Sequence, residues 1–504
     1  MLPQNVPFSL LKNPASKVLD SAYVTTPPQA IFPAANWLAA VKPMRKFWPV
    51  EDQNTPAVSW HKCSYPSVPW SCPVRVMYGA GQRYWVLRQA PAGMTIGNAT
   101  PDGNGDYQQG EAGNLYWPNP VAGTYTIVVD VFDQTDWQTF RWEHTCSASN
   151  FLIGSVSGSG NGSGSDLSNT ISWANTYLGN TTLSPSQNKI LLLRGGNYPA
   201  SVVELFPQYH SRNIGNFPGD SPPVFQCRFN DHGSYRFLTG IEWNGFTHSS
   251  NGVIQTADNV NNLFHWKNRF VNIAIAGGTD NQACHTSMGG GGVFRQNVGG
   301  SQNYYQDIEI AAMDLYSIDN YLSERDDFVV TNPLRTVINQ PIWFPKSGVN
   351  DIEISFNKFD NATVSGGTEG ILYPYGAATY GTQFTALVAN NFVRCNGGNA
   401  LLSNRASNGG FSITSNVYIQ RNTIIGGKAQ SFNWDEGGTP TAIRRTHFDS
   451  NAIQNSDGGI AAASVGFTSV RAECHATSGV VDSNGRLSSS YITYLYKRGA
   501  QVGK

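Results

Sequence analysis

The chain has 504 residues and a mass of 54.8 kDa, long enough to bury more than one hydrophobic core. Charged residues make up 13% of the sequence, about half the usual share, and the formal net charge is -1. Aromatic residues reach 12%, which argues against intrinsic disorder. Because the net charge is close to zero, the sequence does not have the excess of basic residues that is typical of a nucleic-acid-binding protein. We therefore expect a β-rich, turn-rich protein with a neutral polar surface that does not bind nucleic acid.

No stretch of the sequence approaches the ~20 apolar residues of a membrane-spanning helix, so membrane insertion is not predicted. The N-terminal segment has neither a basic region nor an apolar core and is not typical of a signal peptide. The seven cysteines are scattered without a CxxC pair, which argues against a disulfide framework and a zinc site. Cys63 and Cys72 are near enough to bridge a local loop, but buried free thiols are the favoured interpretation. We expect folding in a reducing cytoplasm, without a metal or cofactor.

Two regions precede the first glycine-rich segment. Residues 1–59 contain many prolines and little periodicity, which predicts an extended N-terminal arm that docks on a partner or on the next domain. Residues 60–148 predict a small β-sandwich, with its clearest strand at 124–133 and a second at 138–142. The segments 90–97, 115–120, 122–125 and 131–134 resemble bacterial cadherin-like or immunoglobulin-like modules. That resemblance implies a spacer or binding adaptor.

Three aspartates follow one another near the end of the first predicted strand: Asp130, Asp133 and Asp136. Carboxylates at this spacing could bind calcium. Solvated turn carboxylates are the favoured interpretation, and no metal is predicted there.

The strongest signal is an internal repeat beyond residue 235. A short predicted strand leads repeatedly into the motif Asn-x-(Phe or Ile), and alignment of residues 305–310 with 349–354 places Met313 at the asparagine position of a further copy. A buried amide at a corner can bond both the backbone that the turn frees and its counterpart in the next repeat, while the Phe or Ile fills the core. The copies begin at Asn244, Asn268, Asn357, Asn390, Asn422 and Asn451.

Each copy also has a second predicted strand after a glycine-rich turn. These strands cover residues 292–295, 341–344, 370–373, 400–403, 430–433 and 459–462. Two strands per period predict an all-β fold whose strands stack in parallel at about 4.8 Å. We expect a parallel β-helix over residues 166–504, capped by a helix over 166–177 and preceded by a Gly/Ser linker over 149–165.

The chain beyond about residue 150 resembles the right-handed parallel β-helix proteins of the pectin-lyase-like superfamily. The resemblance rests on the glycine-rich segment 157–164, the strand and Gly-Gly turn at 191–198, the asparagine motif, and the ending around 481–486 and 498–500. It implies a right-handed helix. It also implies a relation to polysaccharide-cleaving enzymes and to phage tailspikes, which bind or degrade surface glycans and usually form homotrimers.

Residues just past the second strands would form one ascending surface if the repeats stack. Aromatic faces and multidentate polar groups suit sugar rings, and cationic groups suit an acidic glycan. The alternative is that these residues only solvate the outside of the fold. The glycan-binding candidates are Arg295, Lys346, Tyr373, Tyr375, Arg405 and Trp434.

Cleavage by hydrolysis would need two carboxylates that flank the glycosidic bond. The candidates are Asp435 and Glu436, which a Gly-Gly turn could bring together, and Glu369 on an earlier strand. Cleavage by elimination would need a base and a cation, for which Arg405 and Lys346 are candidates. However, the acidic calcium-binding cluster expected of pectate lyases is not evident. Glu324, Asp326 and Asp327 form an ordinary solvated turn on the favoured interpretation, and His232 and His285 are taken as hydrogen-bonded loop residues.

These patterns favour a phage virion protein of the tailspike or receptor-binding kind that recognises a host cell-surface polysaccharide. It would dock on other tail proteins through its N-terminal region, and would reach the virion after synthesis in the cytoplasm. One alternative is an extracellular bacterial polysaccharide lyase or glycoside hydrolase, and another is a non-catalytic structural or adhesive β-helix. The residues leave open whether the polysaccharide is cleaved.

Overall fold

The computed structural model of the chain describes 27 segments between residues 42 and 480, and every structural statement below concerns them. The described residues are 42–49, 55–79, 83–97, 113–133, 137–160, 170–173, 188–199, 202–205, 213–231, 235–248, 253–256, 263–275, 303–306, 308–311, 328–331, 351–355, 358–362, 384–389, 391–395, 399–405, 415–426, 428–433, 444–449, 451–454, 467–471, 474–476 and 478–480.

Within these segments the fold is all-β, as the sequence predicts. Two single-turn 3-10 helices, Trp60–Lys62 and Ala148–Asn150, accompany the strands, and the described segments contain no α-helix. None of their helical turns has the length and apolar character needed to cross a bilayer.

The strands are numbered in chain order. The first twelve are β1 (Arg45–Trp48), β2 (Cys63–Ser64), β3 (Trp70–Pro73), β4 (Arg75–Met77), β5 (Tyr84–Gln89), β6 (Thr95–Ile96), β7 (Asn114–Trp117), β8 (Gly123–Phe132), β9 (Trp137–Cys146), β10 (Phe151–Ser155), β11 (Ile171–Ser172) and β12 (Ile190–Leu193). The next fifteen are β13 (Gly196–Tyr198), β14 (Val202–Leu205), β15 (Asn213–Asn216), β16 (Pro223–Phe225), β17 (Arg228–Asp231), β18 (Phe237–Thr239), β19 (Glu242–Asn244), β20 (Thr247–His248), β21 (Ile254–Thr256), β22 (Leu263–Trp266), β23 (Arg269–Val271), β24 (Ala274–Ile275), β25 (Asn303–Gln306), β26 (Ile308–Ala311) and β27 (Phe328–Thr331). The last twelve are β28 (Asp351–Ser355), β29 (Lys358–Ala362), β30 (Phe384–Ala389), β31 (Phe392–Cys395), β32 (Asn399–Arg405), β33 (Ser415–Gln420), β34 (Thr423–Ile425), β35 (Lys428–Asn433), β36 (Arg444–Asp449), β37 (Ala452–Gln454), β38 (Phe467–Arg471) and β39 (Cys474–Ala476).

The chain divides into two compact units. Unit 1 comprises Met1–Tyr177, Thr182–Arg194 and His210–Ser221, and unit 2 comprises Leu178–Thr181, Gly195–Tyr209 and Pro222–Lys504. Each unit is described by itself.

Unit 1 contains a four-stranded sheet in the order β2-β9-β8-β5, in which β8 and β9 pair antiparallel over all ten residues of each strand. The predicted strands at 124–133 and 138–142 are therefore confirmed, within one residue for the first and as part of a longer strand for the second. Along β9 the side chains of Phe140, Trp142 and His144 are buried, while Arg141 and Glu143 between them are exposed. This alternation of period two places one face of the hairpin in the core of unit 1.

The boundaries predicted around this sheet differ from those in the structure. Strand β1 lies inside the predicted arm, pairs antiparallel with β4, and contributes buried Phe47 and Trp48 to the core. Strand β10 lies inside the predicted linker and pairs in parallel with β12. Residues 171–172 of the predicted cap helix form β11, a strand that pairs with β10, so a continuous helix over 166–177 is wrong. The buried apolar residues of β10 lie between β11 and β12. In the sequence this strand is hard to recognise, because a glycine-rich segment follows it directly.

The predicted free thiols are confirmed. Cys63 and Cys72 are buried and unbridged, as are Cys146 and Cys227 among the described residues. Burial raises the pKa of Cys63 to about 11, so the thiol stays protonated and unreactive at neutral pH.

In unit 2 the chain passes repeatedly through three groups of parallel strands. Strands β30, β31 and β32 are followed by β33, β34 and β35, and each strand of the first set pairs in parallel with its counterpart in the second. Strands β36 and β37 then continue two of these stacks. The middle strands join an eleven-stranded sheet, here the long sheet, in the order β13-β16-β19-β23-β26-β27-β29-β31-β34-β37-β39. The first strands form a five-stranded sheet in the order β28-β30-β33-β36-β38.

Equivalent side chains of the long sheet stack inside unit 2. At its start they are aromatic: Tyr198, Phe225, Trp243 and Phe270 occupy matching register positions. The rings of Trp243 and Phe270 lie nearly parallel, with centroids 4.9 Å apart. Further along, buried Ile424 and Ile453 occupy the same column, as the Asn-x-Ile motif predicts. Each of these repeats therefore contributes one inward apolar residue to the core of unit 2.

Several described corners before the long sheet are closed by a buried asparagine. The Asn422 side chain accepts a hydrogen bond from the backbone N–H of Asn391 at 3.0 Å and donates one to the carbonyl of Val388 at 2.9 Å. Asn451 makes the same two bonds to Asn422 and Ile419, at 2.9 and 3.0 Å. The amides also bond one another in series from Asn391 through Asn422 to Asn451. We call this column the amide ladder, and it confirms the predicted role of Asn422 and Asn451.

The ladder pattern recurs earlier in unit 2. Asn268 accepts from the backbone N–H of Ile241 at 3.1 Å and donates to the carbonyl of Leu238 at 3.0 Å. The amide thus replaces the partners that the corner removes from both backbone groups, which would otherwise be buried without a hydrogen bond.

Three other members of the predicted column are corrected or lie beyond the description. Asn391 occupies the ladder position instead of Asn390, which lies outside the described residues. Asn244 is not in the column, because it pairs with Val271 and bonds Glu242. Asn357 lies outside the described residues, and the next residue, Lys358, pairs with Phe392.

The alignment that placed Met313 in the column is also wrong. Residues 308–311 belong to the long sheet, whereas residues 351–355 belong to the five-stranded sheet. The shared Asp-Ile-Glu-Ile sequence therefore occupies different positions of the repeat. Met313 itself lies outside the described residues.

The corner residue just before the ladder position is left-handed. Gly240, Lys267 and Arg421 have φ values of 67°, 56° and 52°. Such a conformation costs a residue with a Cβ roughly 1–2 kcal/mol, which the adjoining amide bonds offset.

Candidate functional site

Eight of the nine residues predicted as site residues lie outside the described residues. They are Arg295, Lys346, Glu369, Tyr373, Tyr375, Trp434, Asp435 and Glu436. Arg405 is the last residue of β32 and pairs with Asn433, the last residue of β35. The two strands that precede this position, predicted at 400–403 and 430–433, are confirmed within β32 and β35. Glu324, Asp326, Asp327, His232 and His285 also lie outside the described residues.

For two of the three aspartates considered for calcium, Asp130 and Asp133, the interpretation as solvated turn residues is wrong. Asp130 and Asp133 are buried, and Asp136 lies outside the described residues. Asp130 accepts a hydrogen bond from the Thr139 hydroxyl at 2.7 Å and lies 3.0 Å from an Arg88 nitrogen. Burial raises the pKa of Asp130, and the contacts with Thr139 and Arg88 oppose that rise. Asp130 sits inside β8, where the alternation of the strand and not a turn decides its environment.

The outward face of the five-stranded sheet offers a site that the sequence analysis missed. Ile354, Val388 and Ile419 are fully buried, so the alternate residues of the same strands lie on the opposite face. On that face Glu353, Leu387, Tyr418, His447 and Ser469 occupy matching register positions in five successive strands. Glu353 and Leu387 are buried, whereas Tyr418 and His447 are half-buried.

Tyr418 and His447 form a stacked pair. Their ring centroids are 4.6 Å apart and the ring planes differ by 11°. This separation is close to the spacing of neighbouring strands, because the two residues are directly opposite each other in β33 and β36. The pairing of β33 and β36 therefore places the two rings side by side. We call Tyr418 and His447 the ring platform.

Polar residues flank the ring platform within the same strands. Asn416 and Gln420 lie two residues on either side of Tyr418 and so share its face of the sheet. At the next strand their register partners are Arg445 and Asp449, and Asp449 in turn pairs with Arg471. Toward the first strand of the sheet, the Ser355 hydroxyl donates to the Glu353 carboxylate at 3.1 Å.

This arrangement can bind a ligand that has both flat apolar patches and hydroxyl groups. An aromatic face accepts C–H groups, and amide side chains each supply a donor and an acceptor. Among the described residues no group of three or more His, Cys, Asp or Glu side chains could hold a metal ion. The ring platform offers stacking and hydrogen-bonding groups to a ligand.

A second polar cluster lies on the long sheet. The Glu242 carboxylate accepts hydrogen bonds from Asn244 at 2.6 Å and from Arg269 at 3.0 Å. Asn272 donates to Asn244 at 3.4 Å. These groups satisfy one another across adjacent strands, so the cluster stabilises the sheet and presents no aromatic face.

A signal for the ring platform exists in the sequence. Tyr418 and His447 each stand four residues before a ladder asparagine, Asn422 and Asn451. Their spacing from the ladder asparagines therefore indicates their position, whereas the spacing from the second strand of the repeat does not.

Comparisons of this chain with protein-family models, with curated protein sequences and with solved structures find no match.

Proposed function

We propose that the chain is a phage tailspike or receptor-binding protein that binds a host cell-surface polysaccharide. The observation that carries polysaccharide binding is the ring platform, a stacked, half-buried aromatic pair with the half-buried amide of Asn416 on the same sheet face. Sugar rings present C–H patches and hydroxyls together, and this combination matches an aromatic face bordered by amides.

We further propose that unit 2 is a right-handed parallel β-helix. Three stacks of parallel strands visited in a fixed order support a solenoid, and parallel crossovers are right-handed in about 98% of cases. A solenoid suits a polymeric ligand, because each added repeat extends the same outward face.

The virion role is the part of the proposal that rests on the sequence resemblance. In it, the N-terminal region docks on other tail proteins, three copies assemble, and the protein reaches the tail after cytoplasmic synthesis. Size measurement in solution tests the trimer, and co-purification with tail parts tests the docking.

The binding test uses the full chain and immobilised capsular, O-antigen and uronate polysaccharides. We expect at least one to retain the protein, and Tyr418→Ala to weaken retention about tenfold, because a lost stacking contact is worth roughly 1 kcal/mol or more. Tyr116→Ala is the matched control, since Tyr116 is an exposed tyrosine of unit 1.

Product analysis in the same samples separates the chemical alternatives. New reducing ends without unsaturated ends indicate hydrolysis, new reducing ends together with ultraviolet-absorbing unsaturated ends indicate elimination, and retention without products indicates adhesion. Retention by none of the polysaccharides contradicts the proposed function. Retention that neither Tyr418→Ala nor His447→Ala weakens moves the binding site away from the ring platform.

A further inference from the structure

The 3-10 turn Trp60–Lys62 of unit 1 is held by side chains that converge on its carbonyl groups. The carbonyl of His61 accepts hydrogen bonds from Trp142 Nε1 and His144 Nδ1, both at 2.9 Å. The carbonyl of Trp60 accepts one from Trp70 Nε1 at 3.1 Å. A turn without long backbone ladders therefore depends on three ring N–H donors.

The partner of His144 Nδ1 decides its protonation. A carbonyl oxygen can only accept, so Nδ1 carries the hydrogen. On the other side of the ring, Nε2 lies 2.9 Å from the Ser64 hydroxyl, which can donate to its lone pair. The geometry thus fits a neutral imidazole with both nitrogens bonded. A second proton on Nε2 would place a charge inside the buried site.

The surroundings of both imidazoles are apolar. The His61 ring makes edge contacts with Trp48 and Trp142, with centroids 5.5 and 6.2 Å away. The His144 ring does so with Trp70 and Trp117, at 4.7 and 6.0 Å. Both histidines are buried.

Among the described residues no carboxylate contacts either ring. The nearest in sequence is Glu143, which is exposed on the opposite face of β9 and bonds the Thr126 hydroxyl. The turn, β2 and β9 supply only Lys62 and thiols near the rings, and the neighbouring strands add cations. The titratable and charged groups on the elements around the pair, including β7 and β8, are Arg45, Lys46, Lys62, Cys63, Cys72, Arg75, Tyr116, Tyr125, Asp130, Arg141, Glu143 and Cys146.

Burial lowers the pKa of His144 to about 4, and burial together with the Lys62 charge lowers the pKa of His61 well below its ordinary value. A histidine whose pKa is depressed in the folded state stabilises the fold above its unfolded pKa. That stability is lost as the pH falls toward the folded pKa. For His144 the window runs from about 6.5 down to about 4.

We infer that His61 and His144 form an acid-sensitive lock, which holds the Trp60–Lys62 turn in unit 1 at neutral pH and releases it in mildly acidic solution. Opening exposes the indole rings packed around the turn and allows the imidazoles to become charged in water. The lock is independent of polysaccharide binding by unit 2.

The test follows hydrogen–deuterium exchange of the full chain by mass spectrometry, in peptides covering residues 55–79 and 137–147, from pH 7 to pH 4. After correction for the intrinsic rate, we expect exchange in the wild type to rise steeply within this range. His144→Gln keeps a donor for the His61 carbonyl but cannot become charged, so the midpoint should move to lower pH. His61→Gln should act in the same direction. His265→Gln in unit 2 is the matched control and should leave this midpoint unchanged.

An unchanged midpoint in both His144→Gln and His61→Gln overturns the inference. If a variant does not fold at pH 7, nitrogen-15 NMR of histidine in the wild type decides. Neutral rings in the folded protein at pH 5 support the lock, and imidazolium signals from folded unit 1 at that pH overturn it.

Discussion

Units 1 and 2 bury polar side chains at their corners for the same reason but in different ways. In unit 1 one irregular turn is held by three different ring donors, and each contact occurs once. In unit 2 the same kind of side chain makes the same pair of bonds at Asn268, Asn422 and Asn451. Because a repeated corner needs the same hydrogen bonds each time, the asparagine that makes them recurs in the sequence. A unique corner leaves no such pattern.

The largest expected effect breaks the repeated corner. Asn422→Leu leaves the Asn391 N–H and the Val388 carbonyl buried without partners, which should cost roughly 3–5 kcal/mol. The local free energy of opening, from hydrogen exchange over residues 415–425, measures the loss. Asn197→Leu, an exposed asparagine on the same long sheet, is the control and should change stability by less than about 0.5 kcal/mol. Equal losses in the two variants would remove the ladder's special role.

The next largest effect is the acid sensitivity of unit 2, to be set beside that inferred for unit 1. Burial lowers the pKa of His265 in β22 to about 3, so its stabilising contribution is present above about pH 6.5 and falls as the pH drops toward 3. At pH 5 the loss should be about 2 kcal/mol. Denaturant-dependent exchange over residues 263–271 at pH 7 and pH 5 measures it, and His265→Leu should abolish most of the difference. A wild type equally stable at both values would contradict the prediction.

A smaller effect removes a polar group that has no partner. Asn213 in β15 of unit 1 is buried, and neither atom of its amide has a hydrogen-bond partner in the described structure. Asn213→Val should therefore raise the stability of unit 1 by about 1 kcal/mol. Thermal unfolding measures the gain. Asn216→Val is the contrast, because Asn216 donates to the carbonyl of Asp220 at 3.2 Å and should lose stability instead.

The smallest effect concerns the aromatic column of unit 2. Within the described residues the Trp243 indole N–H has no hydrogen-bond partner, while its ring stacks on Phe270. Trp243→Phe keeps the stack and removes the unpaired donor, so stability should stay within about 1 kcal/mol. Trp243→Ala should cost about 3–5 kcal/mol and serves as the reference. A Phe variant as unstable as the Ala variant would show that the indole N–H is essential.

The sequence predicts the parts of the fold that follow a simple period. Asn422 and Asn451 were found because a buried amide and an inward Ile recur at a fixed spacing. The motif selects Asn390 and not Asn391, because Phe392 follows Asn390 by two residues, whereas the residue two after Asn391 is Val393, the register partner of Ile424. This one-residue slip reverses which side chains face inward. Asn244 fits the motif by chance, since Trp243 and not Phe246 fills the core column there.

The candidate site was predictable only in kind. An outward stack was expected, but it was sought after the second strand of each repeat, where eight of the nine candidates now lie outside the described residues. The ring platform lies on β33 and β36, each the first strand of its repeat. How far an outward residue on these strands is buried varies from repeat to repeat. Leu387 and Tyr418 are equivalent in register, yet one is buried and the other is partly open. The local sequence does not reveal this difference in burial.

The amide ladder joins the repeats at Asn391, Asn422 and Asn451 through identical bonds. A crossover between two gene segments that encode such corners would therefore leave an intact joint, provided that the break falls at equivalent positions. Whole turns of unit 2 could be duplicated or lost by recombination without inventing new corner chemistry. Each such duplication or loss would lengthen or shorten the outward face of unit 2 by one strand spacing.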